Sequence, residues 1–254
     1  MGHDKTSVDR PRRRRIGDHL SPAIVARGCP RVIRAVRVAE ESGLLAVLAA
    51  GIVEVRSSMG IVRCDVTVSL DGCMAASGQS LENPFGEGGM RTMAWHGSAP
   101  DASPFTGTPN PTGAFVMGRN MFGPGRGEWD LSWRGWWGEE PPFHAPVYVL
   151  SHYAREPLSM DGGTTFHFVA DGIEAALEQA RKAAADDDVQ IAGGASTVRQ
   201  YLRAGLLDEL VLHVAPVTLG GGERPLDDVG ALDFDLVAVS SGPAVTHLKY
   251  RPTR

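Results

Sequence analysis

Cysteine is scarce in this chain and never paired. Only Cys29, Cys64 and Cys73 occur in 254 residues, an odd number with no C-x-x-C among them. That excludes a disulfide framework and points to a reducing compartment, so a cytoplasmic location is expected. An H-x-E and a P-C-x-x-C are also missing, which excludes the zinc deaminase chemistry that depends on both. No other spacing reads as a metal site, and none is expected. Long hydrophobic runs are absent too. The most apolar stretch, GLLAVLAAGIV at residues 43–53, is too short to span a bilayer. It lies far from the N-terminus, behind scattered charges, with no clean small-residue cleavage site after it, so it does not read as a signal peptide. No membrane partner is expected.

Hydrophobic content of 43% and charged content of 22% are ordinary for a soluble globular protein. The net charge of −5 hides an asymmetry. Residues 1–58 carry 11 Lys/Arg against 6 Asp/Glu, leaving 14 against 24 in the remainder. An acidic body argues against nucleic acid as a partner. The basic run Arg12 to Arg15 is Pro-flanked and short, weak grounds for a nucleic-acid arm. Residues 1–58 are expected to form a poorly ordered extension with one short helix near residues 31–50. Met59 begins the first recognisable strand and is an alternative start. Residues 59–254 are expected to form one domain.

The most informative stretch is VQIAGGASTVRQYLRAGLLDELVLHVAPVTLGGG, residues 189–222. An apolar run at 189–192 stops at Gly193 and Gly194. Residues 196–204 have helical spacing, with Val198, Tyr201 and Leu202 on one face, and Gly205 stands where a left-handed C-terminal cap puts a glycine. A second apolar run covers residues 210–217. In this strand, glycine turn, helix, strand unit, two glycines at the mouth of a helix let backbone approach a ligand, and the helix start favours phosphate. Ser196 and Thr197 add hydroxyls. For the double glycine alone, a tight turn with no ligand is the better reading.

Residues 64–70 alternate, with Val66, Val68 and Leu70 on one side and Asp65, Thr67 and Ser69 on the other; Asp71 and Gly72 turn the strand. Residues 77–113 are rich in Gly, Pro, Ser and Asn, with one short helix expected at 88–95. Residues 113–118 read as a buried strand followed by Arg119, and 146–150 as another ending in Ser151 and His152. Residues 123–146 hold Trp129, Trp133, Trp136 and Trp137, which read as a loop pinned by aromatic packing or a dimer contact in preference to a stacking wall for a flat heterocycle. Residues 164–170 alternate again; Asp171 is the expected N-cap of a helix to 185, and residues 186–188 are expected as a solvated connection. Residues 236–239 and 245–250 flank Ser241-Gly242-Pro243 as an antiparallel hairpin.

VTVSLDG, AFVMGRNMF, AGGAST and AGLLDELVLHVAPVTLGGG, in that order, resemble the dihydrofolate reductase superfamily. More narrowly they are similar to its riboflavin-biosynthesis reductase branch, the RibD C-terminal domain-like 5-amino-6-(5-phosphoribosylamino)uracil reductases. The similarity covers roughly residues 60–251, without a deaminase half. It implies an α/β fold, a mostly parallel central sheet flanked by helices on both faces and completed by the C-terminal antiparallel hairpin. It implies an NADPH-dependent oxidoreductase passing a hydride to a small heterocyclic (pyrimidine- or pterin-like) or carbonyl substrate, and a homodimer. Gly118 and Arg119, Ser151 and His152, and Gly193, Gly194, Ala195, Ser196 and Thr197 would bind the cofactor, with Arg119 toward the 2′-phosphate. Asp71 and Glu87 are the expected catalytic residues, Asp71 being equally a turn-former. Ser69, Asn83 and Trp95 are expected at the substrate, with Glu82 and Arg91 as further polar candidates nearby. Met121 stands where the family usually has threonine, and no carboxylate falls within residues 88–95, which sets dihydrofolate aside. A flavin or deazaflavin reductase, or an idle cofactor-binding dimer, are the alternatives.

Overall fold

The computed structural model describes residues 60–97, 99–106 and 110–253. The expectations for residues 1–58, for Met59 as a start and for Cys29 lie outside them. In chain order the strands are β1 (Val62–Ser69), β2 (Ala75–Ala76), β3 (Thr112–Gly118), β4 (Pro146–Leu150), β5 (Leu158–Ser159), β6 (Thr165–Val169), β7 (Asp188–Gly193), β8 (Glu209–Ala215), β9 (Gly222–Glu223), β10 (Phe234–Ser241) and β11 (Thr246–Pro252). The helices are α1 (Arg119–Phe122), α2 (Ile173–Ala184) and α3 (Ala195–Arg203). Nine strands form one sheet in the order β10-β11-β8-β1-β7-β3-β4-β6-β5, and β2 pairs with β9 apart from it. The pairs from β8 through β6 are parallel. Strand β11 runs antiparallel to β8, and β10 closes the expected hairpin.

Topology decides what covers each face. Crossovers between parallel strands are right-handed. The moves β1 to β3 to β4 run one way along the sheet, and β6 to β7 to β8 run the other, so their connections lie on opposite faces. The second set carries α2 and α3, whose Ile173, Ala176, Leu177, Ala180, Val198, Tyr201 and Leu202 bury against Val62, Cys64, Val66, Ile191 and Leu210. Tyr201 is fully buried and donates its hydroxyl to the Ile173 carbonyl at 2.8 Å, tying the two helices together. Helical cover is therefore unequal. The other face carries single-turn α1, 3-10 turns at Gly89–Met93 and Ala99–Asp101, and loops.

The tryptophan loop belongs to that second face. Trp129, Trp133 and Trp137 pack with Phe122, Phe143 and Phe166 over Met117, Val147 and Val149. The indole N–H of Trp129 donates to the Tyr153 carbonyl at 2.8 Å and that of Trp133 to the Phe122 carbonyl at 2.9 Å. The loop is pinned by aromatic packing, while Trp136 and Trp137 also border the cleft described below.

Three local expectations need correction. Asp171 does not cap α2; Gly172 occupies the N-cap at φ 93° with no side-chain cap bond. A positive φ suits glycine, and the cap falls one residue later than the carboxylate. Asp188 is not solvated but fully buried as the first residue of β7. It accepts from the Ile61 N–H at 3.0 Å and lies 3.7 Å from the Arg63 guanidinium, since a buried carboxylate needs both hydrogen bonds and countercharge. Leu70 leaves the strand face and is 64% exposed, because β1 ends at Ser69. The end of α3 is as expected. Gly205 at φ 63° donates to the Leu202 carbonyl and Leu206 to that of Tyr201, a Schellman closure.

Candidate active site

The carboxyl ends of β3, β4 and β7 open onto one cleft of about 1260 Å³ that continues over the helix-poor face of the sheet. Single drug-sized ligands occupy roughly 300–1,000 Å³, so the space exceeds what one such molecule needs.

At one end the strand termini converge. Gly118, Arg119, Ser151, His152, Gly194, Ala195, Ser196 and Thr197 all line the cleft. Gly193 adjoins it, joined to Gly194 by a cis peptide and holding φ 121°, a value L side chains rarely adopt. A Cβ on Gly118 would lie 2.5 Å from the Thr197 hydroxyl oxygen, so β3 and α3 approach as closely as they do only because the side chain is hydrogen. A Cβ on Gly194 would meet nothing within 4 Å, which leaves backbone open to a ligand. The Thr197 and Val198 N–H groups bond to the Gly194 carbonyl. Those of Ala195 and Ser196, first in the helix, have no preceding intrahelical acceptor.

Arg119 stands at this end in a built setting. Its guanidinium donates to the Gly127 carbonyl and, at 3.1 Å, to that of Glu128. It lies over the Trp129 ring at 3.9 Å, and burial lowers its pKa from the usual value. Arg126 joins it at the cleft, held by the Asn120 side-chain oxygen. Ser151 accepts from the Tyr153 N–H at 3.0 Å, and His152 is exposed at the rim.

The predicted Ser69, Asp71, Asn83 and Glu87 do not line the cleft, and neither do the further candidates Glu82 and Arg91. The Asp71 carboxylate accepts from the Ser69 hydroxyl at 2.5 Å and from the Leu219 and Gly220 N–H groups at 3.0 and 2.7 Å. These bonds clamp the turn after β1 onto the segment after β8 and hold the carboxyl down to about pKa 2. Ser69 is 1% exposed and also takes the Cys73 N–H at 3.0 Å. Both therefore serve the turn, the alternative left open for Asp71. Asn83 is exposed in a turn closed by its own carbonyl and the Ser80 hydroxyl. Glu87 is exposed beside Gly78. Neither faces the space where a substrate would sit.

The other end of the cleft holds Trp95, one of the residues expected at the substrate, among others that sequence reasoning missed. Asp65 and Thr67 of β1, Gln190 of β7 and His213 of β8 line it from the sheet, and Phe85, Trp95 and His96 from the segment after β2. Asp65 pairs with Nε2 of His213 and accepts from the Thr106 hydroxyl at 2.9 Å. Burial pushes its carboxyl up, but the His213 bond and charge and the Thr106 bond outweigh this and hold it below the usual value. His213 Nδ1 faces His247 Nδ1 at 2.8 Å, and His247 Nε2 faces the Asp101 carbonyl at 3.0 Å. Trp95 packs at a tilt against His96 and His213, with ring centroids 3.9 and 4.9 Å away. It is 7% exposed, and its indole N–H is buried without an acceptor. The available signal was polarity inside apolar strands, His213 in VLHVA and His247 in VTHLK.

Residues 61–248 match the family model described as RibD C-terminal domain. A structure of a protein assigned to riboflavin biosynthesis from Shewanella sp. PV-4 is 22% identical with TM-score 0.52, over 76% of this chain and 99% of that one. A deaminase/5-amino-6-(5-phosphoribosylamino)uracil reductase from Thermotoga maritima is 16% identical with TM-score 0.47, over 84% and 62%. A dihydrofolate reductase from Enterococcus faecalis complexed with NADP(H) is 13% identical with TM-score 0.45, over 77% and 98%. No curated protein sequence matches the chain. Among the described residues no group of three or more His, Cys, Asp or Glu is placed to hold a metal, and no helix is long and apolar enough to cross a membrane.

Proposed function

The chain belongs to the RibD C-terminal domain family, and from that premise we propose that it is an NADPH-dependent oxidoreductase acting on a small heterocyclic or carbonyl compound. The observation that carries this is the bare backbone at Gly194, open at the start of α3 to the cleft that Arg119 and Arg126 also line. A dinucleotide needs such a cradle for its pyrophosphate and cations for its outer phosphate. Ser151, Ser196 and Thr197 add hydroxyls, which offset the loss of one at Met121. When bound, NADPH supplies a hydride; the protein's part is to orient it and exclude water. Arg119 acts in two ways, since its carbonyl bonds fix the 123–129 loop that carries Arg126. The substrate sits at the far end, between the polar sheet face and Trp95, whose unpartnered N–H calls for an acceptor on the ligand. A homodimer is part of the same proposal and is read by light scattering.

Thermal unfolding with and without cofactor tests it. A ligand that binds only the folded state at 100 times its Kd stabilises by roughly 2.7 kcal/mol. For a domain near 200 residues each kcal/mol moves Tm by about 2–4 °C, so saturating NADPH should raise Tm by several degrees and NADH by less. Arg126→Ala should shrink the difference between the two. An unmoved Tm with NADPH rules the cofactor out, and a tightly bound yellow chromophore would instead favour a flavin.

A further inference from the structure

We propose that Asp65, His213 and His247 form a one-proton relay that opens into the cleft at Asp65 and delivers the proton which accompanies reduction of the substrate. The inference rests on the reductase function above, and its basis is a count of hydrogens. His247 Nε2 faces a carbonyl, which only accepts, so that nitrogen carries a hydrogen. Two Nδ1 atoms 2.8 Å apart need one hydrogen between them. His213 Nε2 and Asp65 need another. Three hydrogens thus sit on two imidazoles and one carboxylate, one more than two neutral rings beside an ionised Asp65 would hold.

The surroundings say where the extra proton rests. The groups that face Asp65 and His213 are Arg63 on β1, Thr106 and His96 from the β1–β3 connection, and His247 on β11, which Asp101 faces in turn. Burial lowers the pKa of His247, and charge on His213 lowers it further. The arrangement is therefore a carboxylate at Asp65, an imidazolium at His213 and a neutral His247 that accepts at Nδ1. The chain of bonds ends blind at the Asp101 carbonyl, while Asp65 and His213 line the cleft. The proton can leave only toward the ligand.

The reaction balances on this basis. The acceptor gains a hydride, with both electrons, from the reduced nicotinamide. It gains H+ from Asp65, to which His213 Nε2 has passed its hydrogen. The Nδ1 hydrogen stays between the rings, and the imidazole pair, one proton short, is recharged from water as product leaves. Asp65 is the catalytic residue, and His247 is a positioning residue that acts through His213.

The full chain with 15N-labelled histidine rings tests the relay directly. At neutral pH, three protonated ring nitrogens are expected across His213 and His247, with one downfield shared proton. Asp65→Asn removes the countercharge, so the third ring proton, the one at His213 Nε2, should be lost at lower pH than in the parent. Two protonated nitrogens in the parent, or an unmoved titration in Asp65→Asn, overturns the relay. With menadione as the acceptor probe, Asp65→Asn should slow NADPH oxidation about 100-fold, the scale of general-acid catalysis, with the KM for NADPH unchanged. His247→Gln keeps a hydrogen-bonding partner at Nδ1 of His213 and should shift the pH profile of kcat rather than abolish activity. Unchanged turnover in Asp65→Asn also overturns the proposal. If NADPH stabilises neither protein, the reductase function fails, while the ring-nitrogen titration still decides whether the relay exists.

Discussion

Asp71 and Asp65 lie six residues apart and have opposite fates. The first is half-buried at a turn, where Ser69, Leu219 and Gly220 satisfy its carboxylate; the second has its side chain buried beside an imidazole. Asp71→Asn should therefore lower Tm at neutral pH while leaving the NADPH-induced rise intact. Its pH dependence follows from linkage. The folded pKa of about 2 lies below the unfolded value near 3.9, so the carboxylate's contribution is present above about pH 4 and is lost as pH falls toward 2. Melting curves of parent and variant should converge across that window. A constant gap would mean that Asp71 acts through shape and not charge.

Elements were legible where periodicity is strong and local. Strands β1, β3, β4, β6, β7, β8, β10 and β11 follow the predicted runs, α2 lies where a helix is predicted, and α3 buries the predicted face. The two-residue strands β2, β5 and β9 have no periodic signal, since their pairing is decided by partners elsewhere in the chain. The same divide runs through the site. The glycine end of the cleft was legible because glycines and hydroxyls cluster at strand ends. At the opposite end only Trp95 was legible, because Asp65 and His213 are 148 residues apart and meet only through β1–β8 pairing. The β3–α3 contact gives an element-scale test. Gly118→Ala pushes a methyl to 2.5 Å from the Thr197 hydroxyl oxygen and should cost about 1–3 kcal/mol. Adding Thr197→Ala should recover part of that loss in chemical denaturation, as expected for touching residues; strict additivity would deny the contact.

Across the whole molecule, protection should follow the sheet. Strand β1 is buried on both faces and flanked by parallel partners, so its amides, with those of β7 and β8, should exchange slowest. Saturating NADPH should slow exchange further at residues 118–121, 151–153 and 194–197 and leave residues 83–87 unchanged. Cofactor protection at 83–87 instead would relocate the dinucleotide to the other end of the cleft.

The route of the chain from β1 to β3 has an evolutionary consequence. One connection, residues 70–111, supplies Phe85, Trp95, His96 and Thr106 to the end of the cleft beside Asp65, whereas Gly118, Ser151 and Gly194 sit at the exits of β3, β4 and β7. Under the proposed function, a single contiguous stretch can be rewritten to admit a new compound while the dinucleotide grip stays as it was. Inheritance in such a scaffold would be modular: descendants can diverge in what they reduce without renegotiating what they reduce it with.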